Sequence, residues 1–451
     1  MELTFLGAVG TVTGSKYLLE IEDKKILIDC GLFQGYKPLR LRNWEKLPFN
    51  PSEIDAVVLT HAHIDHSGYL PVLVKNGFKG PIFSTAATKD LCEILLPDSG
   101  HLQEEEANYA NLRGYSKHKP ALPLYTAEDG LKVMRQFVSI ELHKFHQLFD
   151  DCKIKLERSG HILGSALIQV YSQGRSLLFS GDLGRPFDPI ICEPAKIQTT
   201  DYLVLEATYG NKLHDTISPL DQLAKIINET IDRNGIVIVP AFAVERAQTL
   251  LYYLYLLKQS HSIPDMPIYL DSPLAINATK IFYDHQEDHR IKKDVAVRMC
   301  NIATYTSSTD DSKEIDNHNE PMIIISASGM ATGGRILHHL RRFAPDPRNT
   351  ILLTGFQAGG TRGERILNGE KEVKMLGEMV PIKAQVEFMA NLSAHADYQE
   401  ILQWLGYFQS PPRKVFITHG EPEAVQSLKE KIEKEFGWDC VVPEYMQKEI
   451  L

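Results

Sequence analysis

The chain has 451 residues, 43% of them apolar and 24% charged, a composition typical of a soluble globular protein with about three domains or fewer. No apolar run reaches the roughly 20 residues that a membrane-spanning helix needs, which excludes that class of protein. The net charge of −10 provides no bulk attraction for nucleic acid, although one basic groove on an acidic protein would suffice.

Strands separated by turns are predicted for the first half of the chain. The segments Ser15–Ile21 and Lys25–Asp29 predict a hairpin, and the apolar segment Asp55–Thr60 predicts a buried strand that leads into a helix at Gly68–Asn76. The acidic segment Asp98–Gly114 predicts a solvated helix. Further strands are predicted at Met1–Leu6, Pro81–Ser84, Lys153–Glu157, Ser165–Tyr171, Ser176–Ser180 and Asp201–Glu206.

Alternating strands and helices are predicted in the second half. Apolar runs such as Gly235–Pro240 are typical of parallel strands that are buried on both faces, and the polar segment Ser307–Glu320 predicts a surface loop. Helices are predicted at Pro219–Asn234, Ala247–Gln259, Gly333–Phe343, Asp397–Phe408 and Glu423–Phe436, and strands at Pro267–Leu270, Pro321–Ile325, Thr350–Thr354, Val373–Leu376, Lys383–Phe388 and Lys414–Thr418. The simplest architecture is one α/β domain interrupted by a second, with the last segment returning to the first.

The run His61-Ala62-His63-Ile64-Asp65-His66 directly follows the predicted strand Asp55–Thr60. Imidazole and carboxylate groups are the donors that bind zinc and similar ions. Four such side chains within six residues are more than one ion needs from a single loop. The spacing therefore indicates two metal ions at one strand end.

Isolated polar residues elsewhere could complete two coordination spheres. Asp29, His161, Asp182 and His419 each lie beside glycine at the end of a predicted strand or in a turn. Side chains from different strands converge at such places. Taken singly, each is more often an ordinary turn residue.

These residues, with the segments Leu205–Gly210 (LEATYG) and Leu392–Asp397 (LSAHAD), resemble the β-CASP branch of the metallo-β-lactamase fold. That branch includes the nuclease subunit of the pre-mRNA cleavage and polyadenylation machinery and its bacterial and archaeal relatives. The resemblance implies an α/β fold, a metallo-β-lactamase αββα sandwich with an inserted α/β β-CASP domain. The first domain would comprise residues 1–208 and 370–451, and the inserted domain residues 209–369.

The resemblance also implies roles for individual residues. One metal would be bound by His61, His63, His161 and Asp182, and the second by Asp65, His66, Asp182 and His419, with Asp182 as the bridge. The two divalent ions would share a hydroxide that acts as the nucleophile. Zinc suits these ligands best, and manganese can substitute. Asp65 is also assigned to the catalytic set, and Asp29 would orient ligands.

His395 and Glu206 are not needed as metal ligands. In the family, this pair would serve as the general acid and the carboxylate that orients it. Without the resemblance, His395 could simply neighbour the cap of the Asp397 helix, and Glu206 could be a surface charge at a strand end.

Substrate-binding candidates occur in glycine-rich or polar loops after strands, where free backbone N–H groups bind anions. They are Arg246, Ser326, Ser328, Thr332 and Arg362. An ordinary turn between a strand and a helix explains each of these loops equally well. The cluster Arg335, His338, His339, Arg341 and Arg342 is more typical of a solvated helix face than of a binding surface.

The leading hypothesis is a metal-dependent ribonuclease that leaves 5′-phosphate and 3′-hydroxyl ends, with His395 protonating the leaving oxygen. RNA is favoured because DNA-processing relatives generally lack the histidine found here as His419. A small-molecule thioester or lactam hydrolase is the alternative, but it needs neither the inserted domain nor the Glu206–His395 pair. An inactive RNA-binding protein would have lost metal ligands.

The setting of the protein can also be predicted. The six cysteines are scattered without a C-x-x-C pair, which indicates a reducing, cytoplasmic setting and no thiolate zinc site. RNA is the expected partner, a membrane is not, and the sequence allows a homodimer without indicating its interface.

Overall fold

A computed structural model describes residues 1–114, 116–355 and 357–451. The chain forms two compact units: Met1–Leu213 with His395–Leu451, and His214–Ala394. The first unit is therefore discontinuous in sequence. The inserted segment was predicted to end at residue 369, whereas in the structure residues 370–394 also belong to the second unit, because their strand Gln385–Met389 pairs with Thr350–Thr354.

Two seven-stranded sheets form the first unit. In spatial order, the first sheet consists of Lys448–Ile450, Glu2–Phe5, Tyr17–Ile21, Lys24–Ile28, Ala56–Val58, Ile82–Ser84 and Phe137–Ser139. The second consists of Cys440–Val441, Lys414–Thr418, Tyr202–Glu206, Arg175–Phe179, Ala166–Ser172, Cys152–Arg158 and Phe145–Phe149. The helices of this unit are Lys37–Arg42, Ile64–Ser67, Leu70–Lys75, Ala86–Arg113, Ala127–Val133, Tyr398–Leu405 and Pro422–Phe436.

Apolar side chains of the two sheets form one shared core. Phe5 of the first sheet contacts Phe416 of the second, with ring centroids 5.2 Å apart, and both residues are fully buried. Burying a side chain of this size stabilises the fold by about 1.5–3 kcal/mol. The helices Tyr398–Leu405 and Pro422–Phe436 pack their apolar faces on the outer side of the second sheet. This is the sandwich that the sequence predicted.

The helix Ala86–Arg113 is longer than predicted. Thr85 caps its start by accepting a hydrogen bond from the Thr88 N–H at 3.2 Å, and Gly114 ends it in the left-handed region with a φ of 67°. The helix was expected to begin at Asp98, whereas in the structure it also contains Pro97, which removes one helical hydrogen bond. Burial of the preceding turns, including Leu91 and Leu96, holds the helix together across the proline.

A six-stranded parallel sheet forms the centre of the second unit. In spatial order its strands are Thr304–Tyr305, Ile268–Leu270, Ile323–Ser326, Val237–Pro240, Thr350–Thr354 and Gln385–Met389, and a hairpin pairs Glu372–Met375 with Glu378–Pro381. The helices of this unit are Pro219–Asp232, Arg246–Gln259, Pro273–Asp284, Lys293–Cys300, Thr309–Ile315, Ile336–Phe343 and Arg362–Leu367. Separate apolar clusters cover both faces of the sheet, as the continuous apolar runs predicted.

The segment Ser307–Glu320 is not entirely a loop. Ser308 accepts a hydrogen bond from the Asp311 N–H at 3.1 Å and caps a helix over Thr309–Ile315, in which Ser312 and Ile315 are buried. The polar composition of the segment predicted a loop and gave no indication of this short helix. None of the helices in the described part of the chain combines the length and apolarity that a membrane span requires.

Candidate active site

The candidate metal ligands follow strands whose carboxyl ends lie at neighbouring positions of the two sheets. Strands Lys24–Ile28 and Ala56–Val58 are parallel and precede Asp29 and the His61–His66 loop. In the second sheet, Arg175–Phe179, Tyr202–Glu206 and Lys414–Thr418 are parallel, and Asp182, Glu206 and His419 follow or end them. The fold therefore brings together residues that lie far apart in the sequence.

Two glycines allow these loops to approach each other closely. A Cβ atom at Gly31 would lie 1.5 Å from the Asp65 carbonyl oxygen, and one at Gly184 would lie 1.7 Å from the Gly160 carbonyl oxygen. Any larger residue would push the ligand loops apart, which explains glycine at both positions.

The first group of ligands consists of His61, His63, His161 and Asp182. The Nδ1 atom of His63 lies 3.1 Å from His61 Nε2 and 3.2 Å from His161 Nε2. The Oδ2 atom of Asp182 lies 3.4 Å from the Nε2 atoms of both His61 and His161. One donor atom from each of these four residues lies within 4.8 Å of the other three.

The second group consists of Asp65, His66 and His419. The Nε2 atoms of His66 and His419 are 3.1 Å apart, and His419 Nε2 lies 3.5 Å from Asp65 Oδ2. The other oxygen of Asp182, Oδ1, lies 3.2 Å from His66 Nε2. Asp182 therefore presents one oxygen to each group.

The chemistry of these donors fits a cation. Asp182 and His161 are about 2% exposed or less, and Asp182 Oδ1 has no hydrogen-bond partner among the described residues. Buried polar atoms are rarely left in this state, and imidazole nitrogens that face one another cannot all be satisfied by protons. Metal ions at the centres of the two groups would satisfy these atoms.

The ionisation of the first group also suits metal binding. Burial holds the pKa of His63 at about 4 and those of His61 and His161 well below the ordinary value, so these imidazoles are neutral ligands. Burial would raise the pKa of Asp182, but the histidines around it, His419 and His66 foremost, lower it well below the usual range. For His66 the opposing effects are burial and the carboxylates of Asp182 and Asp29, and the carboxylates raise its pKa.

Asp29 lies outside both groups and supports them. Its carboxylate accepts hydrogen bonds from the Thr60 N–H and hydroxyl, both at 2.8 Å, and lies 2.8 Å from His66 Nδ1. Thr208 supports His419 in the same way, with its Oγ1 3.1 Å from His419 Nδ1. Such contacts fix the ring orientation and the tautomer of a metal-binding histidine.

Glu206 and His395 form a pair beside the two groups. Glu206 is 1% exposed, accepts the Leu183 N–H at 2.7 Å and lies 3.1 Å from His395 Nδ1. The far nitrogen of His395, Nε2, lies 4.0 Å from Asp182. Burial would lower the pKa of His395, but the surrounding carboxylates, Glu206 foremost and then Asp182 and Asp65, outweigh it and raise this pKa to about 9.

The predicted substrate-binding residues occupy different environments. The hydroxyl of Ser326 is buried and donates to the Asp271 carbonyl oxygen at 2.7 Å, which leaves it a structural role. Ser328 and Thr332 lie together on the following loop, with their hydroxyls 3.0 Å apart. Arg246 is 5% exposed and paired with Glu245 at 3.1 Å, yet its Nε has no hydrogen-bond partner among the described residues.

The side chain of Arg362 forms hydrogen bonds that hold the Ser328–Thr332 loop in place. Its Nε donates to the Lys374 carbonyl oxygen at 2.8 Å, and its Nη1 donates to the carbonyl oxygens of Ala331 at 3.3 Å and Thr332 at 2.9 Å. The guanidinium therefore joins the hairpin to the Ser328–Thr332 loop.

A buried ionic network surrounds Asp271 and is not among the features predicted from the sequence. The Asp271 carboxylate accepts from Arg335 and lies 2.7 Å from His339 Nε2, while His339 Nδ1 lies 2.7 Å from Asp316. His339 is fully buried, so the predicted solvated helix face is wrong at this position. The signal was present, because His339 shares the i, i+3, i+4, i+7 spacing of Ile336, Leu340 and Phe343.

Three family models match the chain: the metallo-beta-lactamase superfamily over residues 9–93, the Beta-Casp domain over residues 247–366, and the Zn-dependent metallo-hydrolase RNA specificity domain over residues 379–443. Ribonuclease TTHA0252 of Thermus thermophilus is 34% identical over 436 residues, which cover 95% of both chains. Transcription termination factor FttA of Methanosarcina mazei is 30% identical over 96% of this chain and 69% of its own. Integrator complex subunit 11 of Gallus gallus is 29% identical over 98% of this chain and 72% of its own.

A solved structure of a protein of unknown function from Enterococcus faecalis has the same fold. It superposes with a TM-score of 0.58 at 12% sequence identity and covers 100% of this chain and 99% of its own.

The sandwich and its His/Asp clusters define a metallo-hydrolase of the metallo-β-lactamase superfamily. Within that superfamily the chain belongs to the β-CASP family, since a β-CASP domain model matches its second unit and its 34% identity to a relative extends over nearly the full length of both chains. The predicted family and fold class are therefore confirmed.

Proposed function

We propose that this protein is a metal-dependent ribonuclease that hydrolyses RNA phosphodiester bonds and leaves 5′-phosphate and 3′-hydroxyl ends. The observation that carries the proposal is the arrangement around Asp182, whose two oxygens face two separate groups of ligands beside the Glu206–His395 pair. The relatives include a ribonuclease, which supports the choice of substrate.

Two zinc ions would be bound by the groups described above, with manganese as a substitute. His61, His63, His161 and Asp182 would hold one ion, and Asp65, His66, Asp182 and His419 the other. Bound at these positions, the ions would supply Lewis acidity toward the phosphate oxygens and a water that ionises near neutral pH. Asp29 and Thr208 would keep His66 and His419 in the orientation that binding requires.

His395 would act as the general acid. Hydrolysis adds the oxygen of water to phosphorus and breaks the bond to the 3′ oxygen, which needs a proton as it leaves. His395 Nε2 lies on the side of Asp182, while Nδ1 faces the Glu206 carboxylate, which is itself fixed by the Leu183 N–H. Glu206 would thereby keep His395 protonated and direct Nε2 toward the leaving oxygen.

The second unit would bind the RNA backbone. Ser328 and Thr332 offer hydroxyls in a loop at the carboxyl end of a parallel strand, where phosphate groups commonly bind. Arg246 offers a buried guanidinium with an unsatisfied N–H. Arg362 would act indirectly, by holding the loop, and Ser326 would not contact RNA.

The proposal is tested by incubating the purified protein with end-labelled RNA and DNA of the same sequence, with and without a chelator. We expect RNA to be cut to fragments with 5′-phosphate ends, the chelator to abolish cutting, and added zinc or manganese to restore it. Cleavage of a chromogenic thioester or β-lactam with RNA left intact would instead establish the small-molecule hydrolase.

A further inference from the structure

A short basic segment, Tyr36–Lys46, has no part in the chemistry proposed above. It follows Asp29 in the chain and contains the helix Lys37–Arg42. Three of its large side chains face solvent: Tyr36 is 56% exposed, Leu41 52% and Trp44 59%. The other two tryptophans of the chain, Trp404 and Trp438, are 8% exposed or less. An exposed Tyr and Trp in one short segment indicate a binding surface.

The charge of this segment is opposite to that of the whole protein. The segment contains one acidic residue, Glu45, and four basic residues, Lys37, Arg40, Arg42 and Lys46. The net charge of the whole chain, in contrast, is −10. None of the four cations forms an ion pair with any described residue. Arg42 instead lies over the ring of Tyr445, 4.4 Å from its centroid. The segment thus combines uncompensated positive charge with exposed aromatic rings.

Hydrogen bonds fix the segment beside the loop that carries the candidate metal ligands. The side chain of Asn43 bonds both backbone groups of Phe33, at 2.9 and 2.8 Å, and the Tyr69 hydroxyl donates to the Asn43 carbonyl oxygen at 3.3 Å. The Leu32 N–H donates to the Ile64 carbonyl oxygen at 2.9 Å. Trp44 therefore follows a residue that is hydrogen-bonded to Tyr69, three residues beyond the His-rich loop.

We propose that Tyr36–Lys46 binds unpaired nucleotides of the RNA that flank the bond to be cut. Trp44 and Tyr36 would stack on bases, and Lys37, Arg40 and Lys46 would contact phosphates. Stacking rings beside a positive track are the features by which proteins bind single-stranded nucleic acid without sequence preference. This inference rests on the proposed ribonuclease function. A second copy of the chain fits this face poorly, because a twofold contact would place its positive charges opposite one another.

The exposure of Trp44 provides a direct binding assay. In a His395→Ala background, which slows cleavage, we expect a single-stranded RNA of about 30 nucleotides to quench the tryptophan fluorescence and to shield it from acrylamide. Trp44→Phe should keep the affinity but lose the quenching. Trp44→Ala should weaken binding by about tenfold, the effect of losing one stacked base. The pair Lys37→Gln and Arg40→Gln should reduce the salt slope by about 1.4.

The matched control is the pair Phe145→Ala and Lys153→Gln. Phe145 is 52% exposed and lies 4.4 Å from Lys153, so it is also an exposed ring beside a cation, but on the edge strand of the second sheet. We expect this variant to bind RNA like the parent protein. Equal losses in the control and the Trp44→Ala variant, or no loss in either, would overturn the inference.

Substrate length separates this inference from the proposed function. The value of kcat/KM is measured for an RNA of about 30 nucleotides and for one of about 5 nucleotides. We expect Trp44→Ala to lower the ratio of the first value to the second about tenfold. An unchanged ratio in an enzyme that cuts both RNAs would refute the surface and leave the ribonuclease intact. A wild-type protein that cuts neither RNA would refute the ribonuclease itself. A change of oligomeric state in Trp44→Ala with unaltered RNA binding would assign the surface to protein contacts instead.

Discussion

Each carboxylate oxygen of Asp182 faces a different set of imidazoles. Oδ2 lies 3.4 Å from His61 and His161, whereas Oδ1 lies 3.2 Å from His66. Asp65, in contrast, approaches only the second set, through His419. The two aspartates should therefore differ in how many ions depend on them.

Replacing these aspartates should remove different amounts of metal. We expect Asp65→Ala to lose about one of two bound ions, because the first group of ligands is left complete, and Asp182→Ala to lose both. Elemental analysis of the purified variants measures this directly. His101→Ala is the control, since His101 is exposed on the long helix and lies 3.5 Å from Glu105, away from both groups of ligands. Equal metal content in the two aspartate variants would contradict the proposed bridge.

The Glu206–His395 pair predicts a specific pH dependence. With a pKa of about 9, His395 is protonated at neutral pH, and activity should fall as the pH rises through that value. His395→Ala should slow cleavage by about 10²–10⁴ while retaining the metal. Glu206→Gln removes the charge that raises the pKa of His395, so the alkaline limb should move toward lower pH. A Glu206→Gln profile that falls at the same pH as the wild type would assign the limb to another group.

At the scale of elements, a single guanidinium connects three pieces of chain. Arg362 begins the helix Arg362–Leu367 and binds the carbonyl oxygens of Ala331, Thr332 and Lys374. The Ser328–Thr332 loop is also closed on itself, since Ser328 Oγ accepts the Thr332 N–H at 2.9 Å. The loop that would contact RNA is thus held in one conformation before any ligand binds, which lowers the cost of binding.

Arginine should not be replaceable by lysine at position 362. A simple phosphate contact would survive Arg362→Lys, because the charge remains. A guanidinium that donates in several directions cannot be replaced by an ammonium group, so we expect Arg362→Lys to weaken RNA binding nearly as much as Arg362→Ala. Affinity measured across a salt series distinguishes the two cases. Full affinity in the lysine variant would show that the residue acts through its charge alone.

The clustering of the candidate ligands was easier to predict from the sequence than the contacts of the loops around them. His61, His63 and His66 lie within one six-residue run, so the sequence alone indicates a shared role in metal binding. The partners of Arg362 lie 12 to 31 residues away, and no local pattern reports such contacts. Similarly, the acidic composition predicted a helix only from Asp98, whereas buried turns extend it back to Ala86. Local chemistry is readable from the sequence, whereas contacts set by tertiary packing are not.

At the scale of the whole molecule, the candidate metal ligands all belong to one unit. Residues 1–213 and 395–451 contain every proposed ligand, and residues 214–394 contain none. Bound ions should therefore stabilise the first unit.

Removing metal should lower the midpoint temperature of only one unfolding transition. A protein with two compact units is expected to unfold in more than one step. Each ion present at about a thousand times its Kd stabilises by about 4 kcal/mol, so a chelator that removes two ions should lower the Tm of the first unit by roughly 15 °C. Differential scanning calorimetry with and without chelator measures the shift. The Asp182→Ala variant should show no shift, and equal shifts of both transitions would contradict the assignment.

The discontinuity of the first unit also governs when a newly made chain could become active. A ribosome completes the His61–His66 loop early, but 353 residues separate His66 from His419. At about 5–20 residues per second, that interval lasts roughly 20–70 s. Throughout it, the growing chain lacks the strand Lys414–Thr418, which pairs with Tyr202–Glu206 and presents His419. Polypeptides released prematurely, and nascent chains still attached to their own messenger RNA, would therefore be unable to cut it.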